Sequence, residues 1–404
     1  MFFFAFIDRV NISFAAMDMR RDLSIPATTY GLGAGIFFLG YFIFEIPGNY
    51  ILTKVGARTW LAVTMVTWGI ISAGMAFIGN GRELLLLRFL LGIAEAGFYP
   101  GTLFFLMQSF PEKWHGRVIS YLIVVIPVSS AVSSLLSGMI LHLSGIWGFH
   151  GWQWIFLLEG LPSTFLGILL FICLPNSVGE AGWLSHEERE YLCKVRQRRV
   201  QVKADRTAHS FLAVARDPYV WKLASIFFCL SFVNGTIHFW LPQMIGSVGF
   251  DKYTVMRLLP IPYFIGAVAL IICAARLDRS GKRRWNILIP MGLAFLCLIL
   301  TIVCQPLMMK GIFITIAIAS LFTVLGLMWV VPGQILQGPA AAGGIALINS
   351  IGNLGNFFGP SIFSGLVQET GHYSVGLVMD SVVMFLSFLI FYVISAEKSG
   401  DVPL

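Results

Sequence analysis

The chain has 404 residues, of which 57% are hydrophobic and only 12% are charged, whereas a typical soluble domain has about 25% charged residues. This composition excludes a soluble globular enzyme. The formal net charge of +7 does not indicate a nucleic-acid partner, because the basic residues are concentrated in a few segments between apolar runs.

Apolar runs of roughly 20 residues, the length that crosses a bilayer as a helix, recur along the whole chain. We therefore predict an all-α membrane protein with twelve transmembrane helices. The first run has only seven residues before the charged pair Asp8-Arg9, which leaves open whether the chain starts inside this helix. The predicted spans are 1–17, 30–53, 60–79, 84–110, 117–143, 152–174, 219–246, 254–275, 285–306, 311–332, 340–367 and 374–395.

Lysine and arginine are distributed unequally between the loops on the two sides of the predicted membrane. Loops rich in these residues usually stay in the cytoplasm. We therefore predict an inner (plasma) membrane protein with both termini in the cytoplasm. The basic residues left in the outer loops are Arg20, Arg21, Arg82, Lys252 and Lys310.

A long polar connection divides the predicted helices into six before it and six after it. Short basic turns follow the second helix of each half, TKVGAR from Thr53 and LDRSGKRR from Leu277. Matching turns indicate a parallel internal repeat, a plan that secondary transporters use. We predict an N-terminal six-helix bundle in 1–175, a cytoplasmic linker in 176–218 and a C-terminal six-helix bundle in 219–404, related by pseudo-symmetry.

Several titratable side chains fall inside predicted spans, where an ionised group costs at least a few kcal/mol and needs a partner, water or a ligand. Arg88 and Glu95 share one face of the fourth span, but seven residues place them roughly 10.5 Å apart along the helix axis. We expect each of them to pair elsewhere. The full set is Asp8, Arg9, Glu45, Arg88, Glu95 and His238.

The first and fourth spans bring two acids and two bases to one depth. Glu95 is expected roughly 16 Å into a ~30 Å hydrocarbon core, level with Asp8 and Arg9. An arriving organic anion would take an arginine from its carboxylate, and the freed carboxylate would bind a proton more readily. The alternative is a static buried network of ion pairs that locks the helices together.

Five stretches resemble the major facilitator superfamily and, within it, the anion:cation symporters, which carry organic anions and sugar acids. The resemblance implies the major facilitator fold and alternating access between two six-helix bundles. It also implies that Arg9 and Arg88 bind the anion, that Asp8 and Glu95 couple protons, and that Tyr41 contacts the substrate. The stretches are DRVNISFAA (8–16), GYFIFEIPGNYILTKVGAR (40–58), RFLLGIAEAGFYPG (88–101), HGWQWIFLLEGLP (150–162) and GIALINSIGNLGNFFGP (344–360).

The turn after the eighth span resembles the loop G-x-x-x-D-R-x-G-R-[KR] of the same superfamily. Its matching residues are Asp278, Arg279, Gly281 and Arg283, which we predict to act in the conformational change. The corresponding turn of the first half has Thr53 where the pattern has Asp.

Three further features have two interpretations each. Asn349 and Asn353, with Asn356, form one stripe of the eleventh span and either bind substrate hydroxyls or bridge helices. His238 either titrates near neutral pH or bonds between helices. Glu45 is expected to have a structural role beside the basic turns, with a functional role as the alternative.

Motifs for phosphate binding, zinc hydrolysis and nucleophilic catalysis are absent from the sequence. We therefore predict no enzyme activity, no cofactor and no metal. The predicted function is proton-coupled uptake of a small organic anion by a monomer in membrane lipid, the anion being a sugar acid, a hydroxy-dicarboxylate or an aromatic carboxylate. The alternatives are an anion exchanger or efflux carrier of the same fold, a polytopic membrane enzyme and a non-transporting sensor.

Overall fold

The computed structural model describes residues 1–110, 112–175, 182, 185–187, 190, 216–280, 283–329, 331 and 339–397. Fourteen α-helices lie within these residues. The first half contains α1 (Phe2–Asp22), α2 (Ala27–Val55), α3 (Ala57–Gly74), α4 (Gly81–Glu95), α5 (Phe98–Ser109), α6 (Glu112–Ile140) and α7 (Gly151–Cys173). The second half contains α8 (Pro218–Gly246), α9 (Lys252–Leu258), α10 (Pro260–Ser280), α11 (Arg283–Val303), α12 (Leu307–Met328), α13 (Pro339–Thr370) and α14 (Tyr373–Glu397).

These helices form twelve membrane segments in two pseudo-symmetric bundles, because α4 with α5 and α9 with α10 each make one segment. Ten segments of the described chain are apolar and long enough to cross a membrane. The other two, α1 and α13, have the necessary length but carry polar residues of the predicted site. Asp8 and Arg9 lie in α1, and the asparagine stripe lies in α13.

The fourth segment, predicted as a span over 84–110, is divided into two helices. Helix α4 ends at Glu95 and α5 begins at Phe98. The physical reason is Pro100, which has no backbone N–H to donate to the carbonyl of Ala96 four residues earlier. The indole of Trp60 donates to the Gly97 carbonyl with a 3.0 Å N···O distance and ties the start of α5 to α3. The break places Glu95 at a helix terminus.

The two halves are joined at one end of the bundle, which carries residues 18–30 and 239–254 and which we call the sealed face. There Lys252 Nζ lies 2.5 Å from Asp18 Oδ2, and Arg20 hydrogen-bonds to Gln243. The ring of Tyr253 stacks on His142 with centroids 4.1 Å apart. The opposite end, where residues 55–57, 109–112, 173–175 and 216–218 lie, is called the linker face.

Glycines allow close contacts between helices at Gly92 of α4 and at Gly355 of α13. A Cβ at Gly92 would collide with the Phe37 carbonyl of α2, and a Cβ at Gly355 would collide with the Phe228 carbonyl of α8. Close backbone approach is how membrane helices gain van der Waals contact without a hydrophobic driving force.

Most of the predicted linker lies outside the described residues, so the domain boundaries stay predictions. The same is true of Gly281 and of the side chains of Asp278 and Arg283 in the predicted conformational loop. Arg279, the remaining residue of that set, is exposed at the end of α10.

Candidate functional site

A cavity of about 180 Å³ lies between the two halves. Five of the predicted site residues contribute to its wall, and they come from α1, α2, α8 and α13 of both halves. The cavity therefore gathers residues that are up to 344 positions apart in the chain into one small chamber. The five residues are Arg9, Tyr41, His238, Asn349 and Asn353.

Arg9 is the cation of the cavity wall, and its partner is Glu95. The Glu95 oxygen Oε2 lies 2.5 Å from Arg9 Nη2 and 3.2 Å from Arg9 Nε. The Arg9 side chain is 18% exposed, whereas that of Glu95 is only 1% exposed. Arg9 thus faces the cavity while its carboxylate partner is held behind it. The second oxygen of Glu95, Oε1, has no hydrogen-bond partner among the described residues.

Aromatic rings surround the Arg9 guanidinium. Its Cζ lies 4.8 Å from the ring centroid of Phe6 and 5.5 Å from that of Tyr41. Rings at this distance favour a cation electrostatically while supplying no charge that would compete for it. Phe6 and Tyr41 therefore leave the Arg9 fork available to Glu95 or to an anion in the cavity.

Arg88 does not line the cavity, in contrast to the predicted role in substrate binding. It is fully buried, and its Nε donates to the Gly33 carbonyl at 3.2 Å. Neither Nη1 nor Nη2 has a hydrogen-bond partner among the described residues. The sequence predicts that Arg88 and Glu95 each pair with another residue. Glu95 does so, because it binds Arg9. Arg88 has no ion-pair partner in the described part of the chain.

Asp8 points away from the cavity into the interior of the first bundle. Its carboxylate accepts hydrogen bonds from Trp68 Nε1 at 3.1 Å, Ser72 Oγ at 2.8 Å and Ser163 Oγ at 2.5 Å. The described residues provide no ion-pair partner for it. Although Asp8 and Arg9 are neighbours in sequence, Asp8 faces the interior of the first bundle and Arg9 faces the cavity.

Glu159 is a buried acid that is missing from the predicted site residues. It lies in α7, one turn before the Ser163 that binds Asp8. Its carboxylate accepts from Ser137 Oγ at 2.8 Å and from Ser133 Oγ at 3.4 Å. The sequence signal was available, because an acid in the middle of an apolar span is as unusual here as it is at Glu95. Asp380, fully buried in α14, carries the same signal in the second half.

Glu45 bridges the two halves, which corrects the expectation that it lies beside the basic turns. Its Oε1 accepts from Asn349 Nδ2 at 2.6 Å, and its Oε2 accepts from Ser350 Oγ at 2.9 Å. The reason is that α2 and α13 pack along much of their length, so this face of α2 meets the opposite half rather than a cytoplasmic turn.

His238 both lines the cavity and contacts another helix. Its Nε2 lies 3.4 Å from the hydroxyl of Ser130, which belongs to α6 of the other half. Its ring packs against that of Tyr263 with centroids 5.3 Å apart. Of the two interpretations, the contact between helices is visible in the structure, and a titrating role stays a prediction.

The wall of the cavity offers one cation, several amides and hydroxyl groups, and many apolar rings. No cluster of three or more His, Cys, Asp or Glu side chains that could hold a metal ion occurs among the described residues. The arrangement is suited to binding a small polar anion by hydrogen bonds rather than to changing it covalently.

The sequence model of the Major Facilitator Superfamily matches residues 1–360. The chain belongs to this superfamily. It is therefore a multi-pass membrane transporter and not an enzyme.

Two relatives are similar to this chain over nearly its whole length. A putative tartrate transporter of Agrobacterium vitis is 38% identical over 98% of this chain and 88% of its own length. A quinolone resistance transporter of Acinetobacter baumannii is 35% identical over 97% of this chain and 91% of its own length.

A solved major facilitator structure confirms the architecture. A bacterial homologue of the human lysosomal transporter Spinster, in an inward-facing and occupied conformation, has a TM-score of 0.77 to this chain at 17% identity. The match covers 97% of this chain and 94% of the other. At this sequence identity, the structural similarity shows the fold alone.

Proposed function

We propose that this transporter takes up a small organic anion together with a proton. The observation that carries the proposal is the ion pair between Arg9 and Glu95 at the cavity wall. Arg9 is accessible from the cavity and Glu95 is not, so an anion reaches the cation first. The pair is thus arranged for competition between a fixed carboxylate and a mobile one.

A hydroxy-dicarboxylate is the substrate class that the cavity suits best. The planar fork of Arg9 binds a carboxylate through two parallel hydrogen bonds. Amide and phenol groups bind hydroxyls, and Tyr41, Asn349 and Asn353 present both types to the cavity. Asn349 already donates to Glu45, so Asn353 is the stronger candidate for the substrate hydroxyl. The tartrate transporter among the relatives supports this class.

The proposed coupling between anion binding and proton binding follows from the charges at the cavity wall. When a substrate carboxylate binds Arg9, Glu95 loses its partner and becomes an unpaired carboxylate in a buried position. Such a charge is strongly unfavourable in a low-dielectric interior, and binding one proton removes it. Anion binding and proton binding would therefore favour each other. In the reverse order, a proton on Glu95 would release Arg9 for the anion.

Asp8 is proposed as the second carboxylate of proton coupling. It adjoins Arg9 on α1, so any displacement of the Arg9 segment also moves Asp8 against its donors Ser72 and Ser163. Its hydroxyl and indole partners can stay in place whether Asp8 carries a proton or not, because hydroxyl groups both donate and accept.

The proposed orientation of the protein in the membrane follows from the position of its basic loops. Most lysines and arginines outside the predicted spans belong to sequence segments that connect helix ends of the linker face, which supports a cytoplasmic position for this face and for both termini. The sealed face then points outward across the inner (plasma) membrane. Rocking of the bundles 1–175 and 219–404 about the cavity would open the two faces in turn. We propose a monomer as the working unit, because the cavity lies between the two halves of a single chain.

Uptake in proteoliposomes tests the proposal directly. The purified protein is reconstituted and supplied with radiolabelled L-tartrate, with and without an inward proton gradient. We expect accumulation above equilibrium with the gradient and its loss when a protonophore is added. If neither the proton gradient nor the protonophore changes the accumulation, proton coupling is disproved.

Efflux of an organic anion is the second candidate, and the quinolone resistance transporter among the relatives favours it. Liposomes loaded with L-tartrate separate the two directions. Efflux predicts faster loss of internal label when protons flow in the opposite direction, whereas uptake predicts retention of the label under that gradient.

A further inference from the structure

A second cavity lies within the second half, at the end that belongs to the sealed face. Its volume is about 1260 Å³, compared with about 180 Å³ for the cavity between the halves. Its wall is formed by the ends of α8, α10, α11, α12 and α14. Pockets for drug-sized molecules measure about 300–1,000 Å³, so this cavity, which we call the side groove, has room for a larger ligand.

The side groove is lined mainly by aliphatic side chains. Two of them, Ile265 of α10 and Ile312 of α12, are exposed on the outside of the bundle although both lie in membrane segments. Water fills a lining of this kind only at a cost, whereas hydrocarbon chains fill it freely. The groove is therefore suited to an acyl chain that enters from the bilayer.

The depth of the side groove corresponds to one leaflet of a membrane. Its lining includes Lys310, close to the start of α12 at Leu307, and extends along that helix to Ile316. A rise of 1.5 Å per residue places Ile316 about 13.5 Å from the start of the helix. One leaflet contributes about 15 Å to a ~30 Å hydrocarbon core. The groove thus extends from the level of the lipid headgroups almost to the middle of the membrane.

The rim of the side groove carries a positive charge. Lys310 lies there together with His372 and Ser374, which can donate hydrogen bonds and belong to the start of α14 and the turn before it. No Asp or Glu side chain lines the groove in the described part of the chain. An ammonium group beside neutral donors, at the headgroup level, is suited to a lipid phosphate.

We propose that the side groove binds an anionic phospholipid, with the phosphate group on Lys310 and an acyl chain along Ile265 and Ile312. The chain by itself gives little preference, because the surrounding lipid is equally apolar. The charge of Lys310 therefore decides which lipid the groove retains. This site goes beyond the proposed function, since it does not depend on the transported substrate.

The side groove adjoins the contact between the two halves at the sealed face. Tyr373 lines the groove, and its ring centroid lies 6.2 Å from that of Trp240. The ring of Trp240 in turn meets that of Tyr30, in the first half, edge to face at 5.2 Å. A lipid in the groove packs against Tyr373 and restricts the movement of these rings. Lipid binding should therefore raise the melting temperature of the protein.

A comparison of two lipids with the same acyl chains tests the role of the charge. Delipidated protein is titrated with dioleoyl phosphatidylglycerol or dioleoyl phosphatidylcholine, and native mass spectrometry counts the bound lipid. We expect the anionic lipid to bind about fivefold more tightly. Lys310→Gln should remove this preference, and Arg82→Gln, at the exposed start of α4, should keep it. Loss of the preference in both variants, or in neither, would overturn the proposal.

A substitution that fills the side groove tests the position of the site. A Cβ at Gly311 meets no atom within 4 Å, so the indole of Gly311→Trp can enter the groove. We expect this variant to lose the bound lipid and the rise in melting temperature that phosphatidylglycerol causes. Gly74→Trp makes the same change at another open position and should keep both. Lipid binding that persists in Gly311→Trp would contradict the assignment.

Glycerol 3-phosphate distinguishes a lipid from a soluble anion, because it has a phosphate group but no acyl chain. We expect it to leave the melting temperature unchanged at a concentration where phosphatidylglycerol raises it. Equal stabilisation by both would identify a soluble anion as the ligand and disprove the lipid site. Neither result affects the proposed function, which is tested by L-tartrate uptake.

Discussion

Arg9 and Glu95 form an ion pair between α1 and α4, whereas Arg88, on the same helix as Glu95, takes no part in it. The distance from Arg9 Nη2 to Glu95 Oε2 is 2.5 Å. One arginine therefore holds the buried acid and faces the cavity at the same time. The two functions compete, and this competition is the basis of the predictions on coupling.

Replacing Glu95 with Gln should abolish accumulation of L-tartrate against its gradient. The amide keeps the size of the side chain but carries no proton to couple and no charge to hold Arg9. Counterflow exchange should be retained in part, because Arg9 still binds the anion. Accumulation and counterflow are measured in the same proteoliposome preparation.

Glu369→Gln serves as the control for this change, because Glu369 is exposed near the end of α13. It should leave both activities unchanged. If Glu95→Gln still concentrates substrate on a proton gradient, Glu95 is not the coupling residue.

Substitutions of Arg9 should separate its charge from its shape. Arg9→Lys keeps the cation but loses the bidentate fork, so KM should rise by about tenfold. Arg9→Gln should remove measurable binding of L-tartrate. Arg82→Gln, at the exposed start of α4, is the matched control and should leave KM as it is. Unchanged affinity in both Arg9 variants would return Arg9 to a structural role.

Glu159 should respond differently to Gln and to Ala. Gln preserves an acceptor for Ser133 and Ser137 and cannot ionise, so the melting temperature should be equal or higher. Ala removes the acceptor and leaves a cavity, with an expected loss of about 2–4 kcal/mol. Thermal unfolding of the purified variants measures both, and a similar loss in Gln and Ala would mean that Glu159 must be ionised for stability.

Gly92→Ala should force α2 and α4 apart, because the added Cβ collides with the Phe37 carbonyl. The expected destabilisation is about 1–3 kcal/mol, and transport should fall because a shift of α4 also displaces Glu95 from Arg9. Gly74→Ala adds the same methyl group in open space and should be neutral. Melting curves and uptake rates compare the two, and equal melting temperatures would show that the helices do not need this approach.

The ion pair between Asp18 and Lys252 should hold the sealed face closed. Asp18→Asn and Lys252→Gln should each increase the fraction of molecules that are open at this face. The charge-exchanged double variant should restore closure, since the pair is re-formed with opposite polarity. Distances between spin labels at the ends of α1 and α8 report the change, and additive effects without restoration would exclude a direct interaction.

The sequence predicts the twelve segments and the two-bundle fold well, because an apolar run of roughly 20 residues has few other interpretations. It does not predict the partners of Asp8, Arg9 and Glu95. Helix spacing places Arg88 and Glu95 on one face, while the rotation of α1 decides that Arg9 rather than Arg88 reaches Glu95. That rotation depends on packing between helices distant in sequence.

Contacts between the two halves cannot be predicted from the sequence for the same reason. Glu45 is 304 residues from Asn349, and no local pattern links them. The contact of the Phe37 ring with the guanidinium groups of both Arg9 and Arg88 is equally hidden, because a phenylalanine in a span is ordinary by composition. Glu159 is a different case, since the criterion that selects Glu95 also selects it.

The break at Ala96 and Gly97 has an electrostatic consequence for Glu95. The carbonyl groups at the end of α4 carry a partial negative charge, and the N–H groups at the start of α5, a few residues further on, carry a partial positive charge of similar size. Glu95 is the last residue of α4 and therefore lies where these two partial charges largely cancel. Its ionised form is balanced by Arg9 and not by a helix end, so removal of Arg9 would leave the acid without compensation.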